Sequence, residues 1–154
     1  EMEFYLSLPG GLPPGFRAPE SDAARDAVTV RDGLLRGFVD LVFEHGGRYY
    51  LLDWKSNSIE GGYDTARTLA KMKDSRYDLQ YRLYAVALSE WLAKFGAVER
   101  FGGAIYLFVR GLRPDRPGDG VFADLSLSLD DARADCARVL ERARAHPGSG
   151  GGGS

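Results

Sequence analysis

Gly37-Phe38-Val39-Asp40 and Leu52-Asp53-Trp54-Lys55 decide how this chain reads. They belong to two apolar runs on either side of His45-Gly46-Gly47-Arg48, and each run carries an aspartate where a buried strand would normally hold an aliphatic residue. Strand alternation places Phe38, Asp40 and Val42 on one face of the first run, and Leu51, Asp53 and Lys55 on one face of the second. With Gly46 and Gly47 at the centre of a two-residue hairpin turn, His45 pairs with Arg48 and Asp40 falls opposite Asp53. Opposed side chains sit roughly 5 Å apart, where two carboxylates repel. A shared divalent cation is the most economical reason for such a placement. A three-residue loop pairing Glu44 with Arg48 is the alternative; it puts the aspartates on opposite faces and removes the reason.

Around this hairpin the 154 residues suffice for one domain with a real core, and 44% hydrophobic and 12% aromatic content indicate a globular chain. A formal net charge of -2 excludes a chain that attracts nucleic acid as a whole, so DNA binding requires a local basic patch or a metal-filled acidic site. The single cysteine, Cys136, excludes an internal disulfide and a cysteine-based zinc site, and its place in an amphipathic stretch predicts a buried, inert thiol. No apolar run reaches the roughly 18 residues of a membrane span and nothing reads as a signal peptide, so no membrane partner and a cytoplasmic setting are expected. Pro147 to Ser154 is a Gly/Ser linker, through which something else is expected to be joined.

Glu1 to Leu8 (EMEFYLSL) reads as a strand and Pro9 to Pro19 as a loop. Ser21 to Arg31 is either a short helix at Ser21–Arg25 or extended at Val28–Val30. Arg36 to Glu44 and Arg48 to Trp54 form the hairpin, Ser56 to Gly62 a loop, and Tyr63 to Lys73 a helix or a partly ordered lid. Ser75 to Phe95 is the clearest helix, with Ser75 and Asp78 as a capping box, Gly96 as the stop, and Leu79, Leu83, Val86, Ala87, Trp91 and Leu92 as its apolar stripe. Phe101 to Arg110 is apolar throughout, as in a strand buried on both faces. After a loop at Gly111 to Gly120 and an extended piece at Val121 to Leu127, Ser128 and Asp131 open a last helix to about His146, with Val139, Leu140 and Ala143 inward. The order predicts an α/β architecture, a mixed sheet flanked by helices.

Two carboxylates and a lysine on one face of adjacent strands are what metal-dependent phosphodiester cleavage needs. Asp40 and Asp53 would hold Mg²⁺, or Mn²⁺, through oxygen, and Lys55 would position water or stabilise developing charge. The plain alternative is a strand-end aspartate paired with a nearby lysine. Gln80 and Tyr84, at i and i+4, share a helix face and either contact phosphate, orient the metal-site residues, or pack at the edge of the core. Arg67, Lys71, Lys73 and Arg76 form the best local basic patch, for DNA phosphates or simply for solvent. His45 and His146 receive no role, and no GxxxxGK[ST] loop is present for ATP.

With these residues collected, the chain resembles the RecB-like nuclease domains of the PD-(D/E)XK superfamily. The resemblance rests on EMEFYL at Glu1–Leu6, GFVDLVF at Gly37–Phe43, YYLLDWKSN at Tyr49–Asn57, YDLQYRLYAVAL at Tyr77–Leu88 and FGGAIYLFVRG at Phe101–Gly111, in family order. It implies a PD-(D/E)XK (restriction-endonuclease-like) core over residues 1–146 and an exodeoxyribonuclease acting on linear DNA from broken ends in recombinational repair. The implied partners are DNA single strands, a helicase part of the same polypeptide, and RecC- and RecD-like subunits in a bacterial cytoplasm. By the same resemblance, Asp40 and Asp53 match metal-binding aspartates, Lys55 the catalytic lysine, the Trp54 backbone carbonyl a main-chain metal ligand, and Gln80 and Tyr84 a QxxxY motif. The family also places a histidine ligand on a helix before the EMEFYL strand, which neither His45 nor His146 matches. The expectation is a domain lacking that helix, with a catalytically incomplete docking or regulatory module as the second reading.

Overall fold

The structure, a computed structural model, describes residues 2–7, 29–31 and 34–145. Seven strands and three helices follow one another: β1 Met2–Ser7, β2 Thr29–Arg31, β3 Leu34–Val39, β4 Leu41–His45, β5 Arg48–Lys55, α1 Thr65–Asp74, α2 Tyr77–Ala93, β6 Phe101–Phe108, β7 Val121–Asp124 and α3 Leu129–Ala145. The strands form two sheets. One has the order β1-β3-β2, antiparallel throughout; the other has the order β4-β5-β6-β7, in which β5 and β6 run parallel and the outer pairs antiparallel.

The hairpin register is the one that a two-residue turn requires. His45 pairs with Arg48 and Leu41 with Leu52, and Gly46 and Gly47 have φ of 57° and 78°, the left-handed values of a type I′ turn. Arg36 to Glu44 is not a single strand: it bends at Asp40, so Val39 ends one sheet and Leu41 begins the other. A charged residue at the change of sheets lets its carboxylate turn toward the neighbouring strand end, where an unbroken ladder would have held it in alternation.

Helix α2 lies against β1, β5 and β6 and supplies much of the core. The expected stripe was too narrow. Tyr77, Gln80, Tyr81, Tyr84, Ala85, Leu88 and Ser89 are buried as well, while Trp91 is 38% exposed, because α3 covers the side of α2 away from the sheet. The capping box is also corrected. Ser75 closes α1, its N–H donating to the Lys71 carbonyl and the next N–H, of Arg76, to that of Lys73, and α2 starts at Tyr77 behind Arg76, which has left-handed backbone and no side-chain cap. With two helices separated by a two-residue turn, Ser75 is committed to the first.

Tyr63–Lys73 resolves as helix α1, capped by Asp64, whose side chain accepts from the Arg67 N–H. Gly96 (φ 63°) ends the α2 region as expected. Strand β6 stops at Phe108, where Val109–Gly111 form a 3₁₀ turn, and the extended piece after Gly120 ends at Asp124. Ser128 caps α3, accepting from the Asp131 N–H (3.3 Å). Cys136 is buried in α3, and burial raises its thiol to about 11. The expected loop at Pro9–Pro19, the alternative helix at Ser21–Arg25, the inward side chains of Val139, Leu140 and Ala143, His146 and the linker lie outside the described residues.

Candidate metal-dependent nuclease site

The end of β5 gathers the residues that alternation assigned to one face. Leu51, Asp53 and Lys55 are buried while Trp54, between them, is 46% exposed. Asp53 and Lys55 pair directly, Lys55 Nζ lying 2.5 Å from Asp53 Oδ2. The ammonium also lies over the ring of Tyr77 at 4.3 Å and near that of Tyr106 at 5.3 Å. A lysine so desolvated is held by a carboxylate and by the negative faces of aromatic rings together.

Asp40 reaches this strand from the bend. Its Oδ2 accepts the backbone N–H of Trp54 at 2.8 Å, so its carboxylate sits beside the residue that follows Asp53. Extending the hairpin register by one pair sets Asp40 against Asp53, as counted from the turn. Two carboxylates and the adjacent main chain of Trp54 are thus grouped at one strand end.

Gln80 and Tyr84 connect to the pair through Tyr106. Both are buried. Gln80 Nε2 donates to the Tyr84 hydroxyl oxygen (2.9 Å), and the Tyr106 hydroxyl donates to Gln80 Oε1 (3.0 Å). Phe4 of β1 meets Tyr84 edge-on with ring centroids 5.2 Å apart, which links the first sheet to this layer. Tyr77 is fixed by donating to Asn57 Oδ1 (2.9 Å), and Tyr63 donates to the Asn57 carbonyl (3.1 Å), so the loop after Lys55 is tied to α2.

Tyr106 was missed from the sequence. It pairs with Asp53 across the parallel β5–β6 ladder, and burial, with Asp53 as the next cause, pushes its hydroxyl well above its ordinary value of 10. It therefore stays a neutral donor to Gln80. The available signal was a tyrosine within an otherwise apolar, doubly buried strand, since a buried hydroxyl needs a partner. Tyr77 and Asn57 stand out in the sequence only as members of the matching blocks.

The basic patch divides. Arg67 pairs with Asp64 at the start of α1, and Lys71 follows it one turn later on the same face. Lys73 and Arg76 instead line a cleft with Arg82 of α2 and Arg138 of α3. Two residues along a helix reverse the direction of a side chain, so Lys71 and Lys73 cannot serve one surface. His45 is exposed in the turn.

The donor set fits a hard divalent cation. Asp40, Asp53 and the Trp54 carbonyl offer only oxygen, and Mg²⁺ typically binds through one or two carboxylates while keeping several waters. Among the described residues no group of three or more histidine, cysteine, aspartate or glutamate side chains is assembled, so any cation here relies on two carboxylates from those residues.

The family model of the PD-(D/E)XK nuclease superfamily matches residues 10–149, and the chain belongs to that superfamily. Its curated relatives include the RecBCD enzyme subunit RecB of Escherichia coli, 46% identical over 148 residues, covering 79% of this chain and 12% of the relative. The proteins of the same name from Haemophilus influenzae and Mycolicibacterium smegmatis are 41% and 35% identical, covering 60% and 52% of this chain and 8% of each relative. The chain thus spans about an eighth or less of the length of these relatives.

Proposed function

We propose that this chain carries the cutting site of a Mg²⁺-dependent exodeoxyribonuclease of RecB type. In this reading it hydrolyses phosphodiesters in DNA strands unwound from broken ends, for recombinational repair. The observation that carries the reading is the strand end where Asp40 sits on the Trp54 N–H while Asp53 is paired with buried Lys55. Asp40, Asp53 and the Trp54 carbonyl would hold the cation. When bound, a divalent cation supplies Lewis acidity, drawing electron density from a phosphodiester oxygen and acidifying water.

The chain's own groups supply the rest. Lys55 keeps a fixed positive charge beside Asp53, where it stabilises charge developing on the phosphate as the P–O bond breaks. Tyr77 and Tyr106 wall the ammonium and exclude water from it. Gln80 holds Tyr106 and Tyr84 in place, which makes it a positioning residue with no phosphate contact of its own. By likeness to subunits of the RecBCD enzyme, the partners are a helicase portion of one polypeptide and RecC- and RecD-like subunits, in a bacterial cytoplasm.

The test is digestion of linear single-stranded DNA with Mg²⁺ or Mn²⁺, comparing the chain with Asp53→Ala and Lys55→Met. Cutting that both substitutions abolish supports the reading; cutting that survives either one overturns it. The two-carboxylate donor set favours one second reading, a non-cutting docking or regulatory module. A chain that binds Mn²⁺ yet leaves DNA intact under every condition would establish that reading instead.

A further inference from the structure

We infer that the cleft lined by Lys73, Arg76, Arg82 and Arg138 holds the backbone of the DNA strand on the far side of α2 from the carboxylates. This rests on the nuclease reading for the identity of the polyanion.

The cleft has a volume of about 480 Å³, and Asp78, Leu79 and Asp135 complete its lining. Four cations there face two carboxylates, in a chain whose formal net charge is -2. Arg82 is held in place: its Nε lies 2.8 Å from Asp135 Oδ2 and its Nη1 donates to the Asp78 carbonyl at 3.0 Å. Arg138 pairs with the same Asp135. Neither Lys73 nor Arg76 has an ion pair among the described residues. Asp135 is therefore shared by two guanidiniums, and Asp78, which meets Arg82 only through its main-chain carbonyl, is the one acid left beside Lys73 and Arg76, so the cleft keeps an excess of positive charge for an outside anion.

Arg76 is placed there at a cost. It is the one non-glycine with positive φ (56°) among the described residues, a conformation unfavourable to a long side chain. It also puts a cation at the positive end of α2, with no side-chain cap. Glycine or asparagine would close this turn better. Backbone strain and unfavourable charge at one residue, beside three further cations, are accounted for if a polyanion binds.

The position suits a continuous strand. Tyr77 and Gln80 point from the first turn of α2 toward Lys55 and Tyr106, while Asp78, Leu79 and Arg82 point the other way into the cleft. The cleft and the carboxylates are separated by about one helix diameter, roughly 10 Å. A strand crossing the N-terminus of α2 can touch both. Contacts of this type fix the strand without reading its sequence.

The test is binding of a fluorescein-labelled oligothymidylate in EDTA, followed by anisotropy over a salt series. Lys73→Gln/Arg76→Gln should weaken binding at least fivefold and flatten the slope of log Kobs against log salt by about 1.4, at about 0.7 per lost contact with single-stranded DNA. Arg76→Gly should weaken binding while raising Tm, a combination that a purely structural arginine would not give. Arg113→Gln, on a loop outside the cleft, serves as control. Unchanged binding in the cleft variants, or no binding by the unsubstituted chain, overturns the inference. So does equal competition by polyglutamate, which would assign the cleft to an acidic protein segment. A chain that cuts DNA while the cleft variants bind normally loses this inference and keeps the nuclease reading; one that binds through the cleft but never cuts does the reverse.

Discussion

Lys55 is buried with its ammonium against Asp53 and between two tyrosine rings, so stability and chemistry meet in one pair. Removing one member of a buried ion pair leaves the other charge stranded, at a cost of about 3–5 kcal/mol, whereas replacing both with apolar residues is often neutral. Lys55→Met should therefore lower the urea midpoint strongly, and Asp53→Leu/Lys55→Met should recover most of the loss while remaining unable to cut DNA. A double variant as unstable as the single one would refute the pairing. Tyr106→Phe leaves Gln80 Oε1 without its donor and should cost about 1–3 kcal/mol. Because Tyr106 acts through Lys55 and Gln80, steady-state cleavage should show kcat falling with little change in KM. At this scale period-2 alternation sorted Asp53 and Lys55 to one buried face directly, whereas Asp40 reaches the strand end from the bend between the sheets. The sequence did not show Tyr106, whose partnership with Gln80 depends on β6 lying beside β5 and beneath α2, a long-range placement that no local pattern encodes.

At the scale of elements, the hairpin turn and the β6–β7 pair make opposite demands on glycine. Gly46 needs positive φ but has open space around it, so Gly46→Ala should cost about 1–2 kcal/mol through conformation alone. Gly103 (φ 127°) would place a Cβ 2.4 Å from the Asp124 carbonyl oxygen. Gly103→Ala thus adds overpacking of about 1–3 kcal/mol to the strain, and thermal unfolding should rank it clearly below Gly46→Ala. The aromatic layer between α2 and the sheet predicts an alkaline limit. Burial raises Tyr81 to about 12 and holds Tyr106 well above the ordinary 10. Between pH 10 and 12 the unfolded chain releases these protons while the folded chain keeps them, so stability falls as pH rises through that window. Tm measured from pH 8 to 12 should drop beyond pH 10, and Tyr81→Phe should shallow the drop. The helices were legible from their spacing and stops, but the start of α2 was not. Ser75 and Asp78 form a sound capping pattern, and only the presence of α1 immediately before it shows that Ser75 is already used.

At the scale of the molecule, the two sheets meet at Asp40, which lets one residue end a strand and face the next sheet. The sequence named the architecture through the order of its elements, yet could not show the change of sheets, since one aspartate with apolar residues on both sides reads equally as a site residue on a continuous strand and as a bend. It likewise grouped Arg67, Lys71, Lys73 and Arg76 by proximity along the chain, where the helices divide them between two surfaces. The hairpin register would make Asp40 and Asp53 joint ligands of one divalent cation. Titration of Mn²⁺ followed by electron paramagnetic resonance tests it without requiring turnover. The prediction is one bound Mn²⁺ per chain, displaced by Mg²⁺ and lost in Asp40→Ala as fully as in Asp53→Ala. Unimpaired binding in either variant would contradict it.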